Sequence, residues 1–333
     1  MPNAATVFEY ISNELGLGCP ISQIKRVFGG YMHKMYCLET TNGKYAIKIL
    51  NPEVMKRPDV FKNYETAERL EKVLSDNGLP IVPALLFYGA KIQCFNNQYF
   101  YVFQWIDGKA LDSDEITKSH CAQIGELLAK LHSIEQRQEA LNKNSLCIDW
   151  DSYIALANDK CPGVAAVLMD NRALLYARQQ EGNLALAKVP AVTTICNGDM
   201  DSKNVLWVNG NPQIIDLECL SYGNPYMELF QLALCWSGYE HCHLNYELLK
   251  TFIQSYIENF ENFQADWAAL YSSNYGRLEW LEYNIKRALM IECENDEEQA
   301  LGTEQVFETI NHIIYYDSIR DELIHQLSSA FNG

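Results

Sequence analysis

Two aspartates and an asparagine lie close together in a short polar stretch with apolar flanks: Asp199, Asn204 and Asp216. The segments 204–208 and 213–217 predict two strands joined by an Asn-Gly-Asn-Pro turn, and their pairing brings Asn204 and Asp216 to one end of a hairpin. Carboxylate and amide oxygens suit a hard cation such as Mg²⁺. Asp199 precedes the first strand and is free to accept a proton from a hydroxyl group. The stretch therefore predicts the arrangement that phosphoryl transfer uses.

A lysine and a glutamate nearer the N-terminus suit the nucleotide side of such a reaction. Lys48 interrupts the apolar strand YAIKIL, where an ammonium group needs a partner or a ligand. Glu68 lies on the inward stripe of a following helical segment, so we expect its carboxylate to pair with Lys48, as in kinases. Gly29 and Gly30 separate two predicted strands, where a backbone without side chains can approach phosphates.

Each feature also has an ordinary structural explanation. A Gly-Gly pair is a common turn, Lys48 suits an edge strand whose ammonium group reaches solvent, and Glu68 suits a solvated helix face. The segment from Asp199 to Asn204 suits a capped turn. The order of all these features along one chain favours phosphoryl transfer over the separate explanations.

The first hundred residues predict an antiparallel sheet with one helix. Asn42-Gly43 is a strong hairpin signal between two strands. A helical pattern covers 61–78, and further strands are expected over 83–92 and 98–108.

Helical spacing dominates from about residue 113 onward. We therefore predict an α+β fold of two domains. An N-terminal nucleotide-binding lobe covers 1–106, and a larger, mainly helical, catalytic and substrate-binding lobe covers 107–333.

Composition limits the partners and the compartment. The 333-residue chain has a formal net charge of -17, which disfavours nucleic acid but is compatible with a cationic ligand. Its 11 cysteines include no CxxC pair, the N-terminus lacks a signal-peptide pattern, and no apolar run reaches the roughly 18 residues of a membrane span. We expect a reduced, cytoplasmic protein with no membrane partner, and a monomer by default.

The polar stretch also carries a family resemblance. NGDMDSKN followed by IIDLE resembles the HGDxxxxN and IDWE/IDFE signatures of the aminoglycoside phosphotransferase and choline kinase-like superfamily. The resemblance extends through GGYMHKMYCLETTNGKYAIKIL, YVFQWIDGKAL, IGELLAKLHSI and YGNPYMELFQLAL, which together cover most of the chain. It implies a bilobal protein kinase-like fold and an ATP- and Mg²⁺-dependent small-molecule kinase, with GTP as the alternative nucleotide.

The resemblance implies a role for each matched residue. Asp199 is the catalytic base, Asn204 and Asp216 bind Mg²⁺, and Lys48 contacts the nucleotide phosphates. Glu68 orients Lys48, with Glu65 as its rival. The backbone of Gln104, Trp105 and Ile106 receives the adenine.

Two positions depart from the family pattern. Asn197 stands where the family usually has histidine, and we expect activity to survive because asparagine can also hydrogen-bond the backbone. Glu228 replaces the usual aspartate after the metal site, where a longer carboxylate can serve in supporting the catalytic loop.

Only the chemical types of a few residues, and no motif, indicate the acceptor. Trp280 and Tyr283, among acidic residues, suit a cationic group. Glu218 is expected to face the same way along its strand as Asp216, where it can contact either the metal or the acceptor. An aminoglycoside-type antibiotic is favoured. A choline, ethanolamine, amino-sugar or homoserine-type metabolite is the alternative. Trp280 and Tyr283 equally suit a helical core.

Two other classes of protein are less well supported. A protein kinase is disfavoured because only a short segment separates Asp216 from the next predicted helix, which leaves no long activation loop and no Ala-Pro-Glu motif. An inactive nucleotide-binding pseudokinase is the second alternative, and only Asn197 supports it.

Overall fold

The computed structural model describes residues 4–27, 32–138 and 145–331, and the chain divides into two compact units. The first unit is Met1–Asp112 with Asn197–Ser221, and the second is Ser113–Cys196 with Tyr222–Gly333. The segment with the candidate catalytic residues therefore packs with the N-terminal residues. The predicted division at 106/107 assigns residues 197–221 to the second lobe, whereas they pack in the first unit.

The strands, in chain order, are β1 Lys25–Val27, β2 Lys34–Thr40, β3 Gly43–Ile49, β4 Gln93–Phe95, β5 Gln98–Gln104, β6 Gln136–Arg137, β7 Thr193–Cys196, β8 Val205–Val208, β9 Asn211–Ile214 and β10 Ser221–Gly223. The helices are α1 Ala4–Glu14, α2 Val60–Asp76, α3 Lys118–Ser133, α4 Trp150–Lys160, α5 Pro162–Ala185, α6 Pro225–Cys235, α7 Tyr246–Asn259, α8 Trp267–Ser273, α9 Gly276–Ala288, α10 Asp296–Ser318 and α11 Arg320–Phe331.

The first unit is built on an antiparallel sheet with the strand order β1-β2-β3-β5-β4. Thr40 pairs with Gly43, so the predicted hairpin is confirmed, with Thr41 and Asn42 as its turn residues and Gly43 as the first residue of β3. The predicted strand over 83–92 is wrong, because this segment forms isolated bridges and β4 begins only at Gln93. Tyr88 and Gly89 both have positive φ, which an extended strand does not permit.

The two faces of this sheet bury different side chains. Phe100 and Val102 of β5 pack into a cluster with apolar residues of α1, whereas Tyr101 packs into a cluster with α2 residues such as Tyr64. Successive side chains of a strand point to opposite faces, so one strand serves both clusters. The sequence predicted one helix in this region, and α1 is a second one. Lys48 lies opposite Tyr101 in the ladder.

A second hairpin, β8–β9, belongs to the same unit. Asn209 and Gly210 have positive φ of 51° and 79°, the backbone of a two-residue primed turn, so the turn is shorter than the predicted four residues. Ile214 accepts a hydrogen bond from the Val82 N–H at 2.8 Å, and Trp207 bridges Lys109. These contacts attach the hairpin to the N-terminal residues.

The second unit is mainly helical. Helices α3 and α7, α4 and α5, and α9 and α10 pack in pairs. Trp150 lies in an apolar cluster with residues of α4, α5, α9 and α10, and Trp236 and Trp267 are also fully buried. A small three-stranded sheet has the strand order β10-β7-β6, and its central strand β7 ends at Cys196, just before the polar stretch with Asp199. Among the described helices, none has both the length and the apolar character needed to span a membrane.

A buried histidine joins three helices of the second unit. The Nε2 atom of His132 on α3 lies 2.7 Å from Glu228 Oε2 on α6, and its Nδ1 lies 2.8 Å from the Tyr256 hydroxyl on α7. All three side chains are buried. The carboxylate that departs from the family pattern therefore fixes helix packing through His132.

Candidate active site

The loop after β7 holds Asp199 by local hydrogen bonding. The buried Asn197 accepts a hydrogen bond from the Asp199 N–H at 3.0 Å, so asparagine bonds the loop backbone as expected. Gly198 has φ of +81°, and a Cβ there would lie 3.0 Å from Cys219. Glycine at position 198 is thus required by both the conformation and the crowding of this turn.

Asp199 lies among groups that hold and tune its carboxylate. Asn204 donates from Nδ2 to Asp199 Oδ2 at 2.9 Å. Lys203 Nζ lies 3.5 Å from Asp199 Oδ1 and 2.9 Å from Asp201 Oδ2. Burial, reinforced by the charge of Asp201, raises the pKa of Asp199 to about 7 although Lys203 lowers it. A carboxylate with this pKa is suited to accept a proton near neutrality.

The metal candidates meet beside this carboxylate. The Ile215 N–H donates to the Asn204 carbonyl at 2.9 Å, which brings the start of β8 against the end of β9, next to Asp216. Because Asn204 Nδ2 is bonded to Asp199, its Oδ1 is the atom that can face a cation. Asp216 has φ of 60° and ψ of 62°, a costly conformation for aspartate that is typical of functional sites. These oxygen donors fit Mg²⁺.

Lys48 joins the same group of residues. Its buried Nζ lies 2.5 Å from Asp216 Oδ1 and 2.5 Å from Glu218 Oε2. Burial alone would lower the pKa of Lys48, but the two carboxylates raise it above its ordinary value. Burial would raise the pKa of Glu218, but Lys48 and His33 lower it to about 2. Lys48 and Glu218 are therefore both charged at neutral pH.

The predicted pairing of Lys48 with Glu68 is not formed. Glu68 accepts a hydrogen bond from the Tyr101 hydroxyl at 3.0 Å, and the rival Glu65 is exposed on α2. Lys48 instead takes two carboxylates from the loop after β9, which no local pattern relates to β3. Lys48 and Glu68 still line one small pocket, together with Tyr64 and Tyr101.

A family model matches most of the chain. The model described as the phosphotransferase enzyme family matches residues 23–281. The chain belongs to the phosphotransferase enzyme family. The predicted resemblance is confirmed, and so is the prediction that the chain is a phosphotransferase enzyme.

Solved structures of similar fold support the same architecture. A spectinomycin phosphotransferase, solved with ADP and spectinomycin, is 15% identical, with 95% of this chain and 99% of that chain covered and a TM-score of 0.70. A choline kinase from Streptococcus pneumoniae is 18% identical, with 93% and 98% covered and a TM-score of 0.60. An amicoumacin kinase, solved with AMP-PNP, Ca²⁺ and its substrate, is 11% identical, with 93% of each chain covered and a TM-score of 0.61. The predicted kinase-like α+β fold is confirmed.

The phosphotransferase uses both oxygens of Glu218 inside its first unit. Oε2 contacts Lys48, and Oε1 lies 3.3 Å from Nε2 of the buried His33. The sequence predicted that Glu218 contacts either the metal or the acceptor, whereas in the structure its carboxylate contacts Lys48 and His33. His33 and Lys203 were not among the predicted site residues. Lys203 had one local signal, its spacing of four residues from Asp199.

The predicted acceptor residues of the phosphotransferase lie on α9 in the second unit. The rings of Trp280 and Tyr283 are 5.4 Å apart, and Trp280 donates to Gln305 Oε1 at 3.4 Å. The Arg287 guanidinium lies 5.5 Å from the Tyr283 ring centre. Contacts within the second unit thus cover part of each side chain, and both side chains are only partly buried.

The predicted adenine segment follows the edge of the first sheet. Gln104 ends β5, and the Trp105 N–H donates to the Lys44 carbonyl at 3.0 Å. The Trp105 indole donates to Asp107 at 2.9 Å, which fixes the ring outside the sheet. The predicted phosphate-loop residues Gly29 and Gly30 lie outside the described residues.

Proposed function

We propose that this phosphotransferase transfers the γ-phosphate of ATP, with Mg²⁺, to a hydroxyl group of a small cationic molecule. The observation that carries the proposal is the convergence of Asp199, Asn204, Asp216 and Lys48 within one compact unit. One base, two oxygen ligands and one buried lysine are the groups that phosphoryl transfer to an alcohol needs.

The nucleotide side of the proposed reaction uses three side chains. Asn204 Oδ1 and the Asp216 carboxylate would hold Mg²⁺, which when bound neutralises charge on the β- and γ-phosphates. Lys48 would bind phosphate oxygens with the ammonium group that it now shares between Asp216 and Glu218. The backbone of 104–106 would receive the base, and Gly29 and Gly30 would approach the phosphates.

The acceptor side uses Asp199. Its carboxylate accepts the proton of the attacking hydroxyl, the hydroxyl oxygen bonds to the γ-phosphorus, and the bond from phosphorus to the bridging oxygen of ADP breaks. The pKa of about 7 provides a base of matched strength. Lys203 lies close enough to stabilise the negative charge around the carboxylate.

A cationic acceptor is supported by charge and aromatic residues. The formal net charge of -17 attracts cations, and Trp280 and Tyr283 supply ring faces for an ammonium group. An aminoglycoside-type antibiotic is the first candidate, in keeping with the spectinomycin named for one similar structure. Choline or ethanolamine, named for others, and amino-sugar or homoserine-type metabolites are the second class. A pseudokinase is disfavoured, because the base and both metal ligands are present.

The proposed setting is a reducing compartment, with the enzyme acting as a monomer. None of the 11 cysteines, which all lie in the described residues, forms a disulfide bond, in keeping with this setting.

The test is a turnover screen of purified enzyme with Mg²⁺ and either ATP or GTP. The acceptors are aminoglycosides, choline, ethanolamine, amino sugars and homoserine. Asp199→Asn serves as the blank, and Asp159→Asn, at an exposed position on α4, is the matched control. We expect one acceptor class to be phosphorylated by the wild type and the control, with turnover reduced about 10²- to 10⁴-fold in Asp199→Asn.

Turnover that survives in Asp199→Asn would contradict the assignment of the base. Nucleotide binding without transfer to any acceptor, at high enzyme concentration, would favour the pseudokinase.

A further inference from the structure

His33 is a buried histidine beside the candidate site, and the proposed reaction assigns it no role. His33 lies just before β2, and its side chain is 3% exposed. Its Nδ1 accepts a hydrogen bond from the Asn51 N–H at 3.0 Å. Because Nδ1 is an acceptor, the proton of the neutral ring is on Nε2.

Glu218 is the acidic group within reach of this nitrogen. His33 Nε2 lies 3.3 Å from Glu218 Oε1, an ion-pair distance, and it makes no hydrogen bond of good geometry among the described residues. The other oxygen of Glu218 lies 2.5 Å from Lys48 Nζ. Glu218 is therefore held from two sides, by a ring nitrogen and by an ammonium group.

The chain of contacts continues to the metal candidate. Lys48 bridges Glu218 and Asp216, so His33, Glu218, Lys48 and Asp216 form one continuous polar chain in the first unit. When Asp216 is engaged by a cation, Glu218 is the carboxylate that remains to hold Lys48. A carboxylate free to change rotamer would let the lysine move away from the phosphates.

We propose that His33 is a positioning residue that fixes Glu218 and, through it, places Lys48 for the nucleotide phosphates. This inference rests on the proposed function, because it assigns Lys48 to the nucleotide. It predicts that loss of the Nε2 contact raises the KM for ATP, with little effect on the KM for the acceptor. A purely structural anchor through Nδ1 would instead depend only on the bond from Asn51.

Two substitutions separate these roles. In His33→Asn the side-chain oxygen can take the place of Nδ1 and keep the Asn51 bond, but nothing reaches Glu218. In His33→Gln the terminal amide nitrogen can take the place of Nε2 and keep the Glu218 contact, but the Asn51 bond is lost. In ordinary rotamers, the asparagine oxygen reaches the position of Nδ1 and the glutamine nitrogen reaches the position of Nε2.

The experiment measures kcat, the two KM values and Mg·ATP binding by calorimetry for both variants. We expect the KM and Kd for ATP to rise about tenfold in His33→Asn and clearly less in His33→Gln. His325→Asn, at an exposed position on α11, is the control for the same substitution and should match the wild type. The reverse order, with His33→Gln the more impaired, would make His33 a loop anchor and overturn the inference. Equal effects in both would also overturn it.

A double variant tests whether Glu218 is the intermediary. Glu218→Gln should weaken ATP binding, and adding His33→Asn should then have little further effect, since contacting residues are not additive. Full additivity would contradict the inference. If the wild type transfers phosphate to no acceptor, the proposed function fails. The calorimetric comparison of the His33 variants would still decide the role of His33.

Discussion

The most informative residue is Lys48, because its ammonium group is buried between two carboxylates. We predict that Lys48→Ala destabilises the fold by about 2 kcal/mol, since it leaves the Asp216 and Glu218 charges unpaired in a partly buried position. It should also raise the KM for ATP at least about tenfold, a loss of one charged contact. Urea unfolding and steady-state kinetics measure the two effects.

The exposed Lys72 on α2 is the matched control for Lys48. Its ion pair with Asp76 lies on the surface, so Lys72→Ala should change stability by less than about 0.5 kcal/mol and leave the KM for ATP unchanged. An unchanged KM for ATP in Lys48→Ala would remove Lys48 from the nucleotide site.

At the scale of elements, two glycines with left-handed backbone should respond differently to alanine. Gly210 in the β8–β9 turn has open space around its Cβ position, whereas a Cβ at Gly198 would lie 3.0 Å from Cys219. Gly210→Ala should cost about 1 kcal/mol in stability through backbone strain alone, without changing kcat. Gly198→Ala should cost more and lower kcat, because it displaces Asp199. Thermal unfolding and turnover of both variants test this, and equal kcat values would contradict it.

The helix junction at His132 gives a second prediction at this scale. Tyr256→Phe removes one buried hydrogen-bond partner and leaves His132 Nδ1 unsatisfied, which should cost about 1 to 3 kcal/mol. Exposed Tyr88→Phe on the first unit is a control of the same chemistry, expected to have a small effect. The free energy of unfolding in urea measures both variants, and equal losses would mean that the junction does not stabilise the fold.

At the scale of the whole molecule, the net charge of -17 should act on the acceptor. A cationic acceptor is attracted by this field, and salt screens the attraction over about 10 Å at 0.1 M. We therefore predict that kcat/KM for a cationic acceptor falls severalfold between about 20 mM and about 300 mM salt. A neutral analogue with the same hydroxyl is the control. Equal salt dependence for both acceptors would exclude electrostatic steering.

The polar side chains of the candidate site, and the hairpin that carries two of them, were predicted from the sequence. Asp199, Asn204 and Asp216 were predicted as site residues because their residue types and hairpin spacing suit metal-assisted phosphoryl transfer. The Asn42-Gly43 signal also located the first hairpin to within one residue, since Thr41 and Asn42 form its turn and Gly43 begins β3. The family match confirms the class of enzyme that these residues indicated.

The tertiary structure decided which carboxylates pair with Lys48 and which residues share a compact unit. Asp216 and Glu218 lie 168 and 170 residues from Lys48 in the chain, so helical or strand periodicity cannot relate them. The sequence offered Glu68 on the adjacent helix, but that carboxylate bonds Tyr101. His33 and Glu218 are likewise far apart in the chain, so only the tertiary structure brings them into contact. Periodic patterns report which face of an element is buried, whereas the partner on that face depends on how distant segments pack.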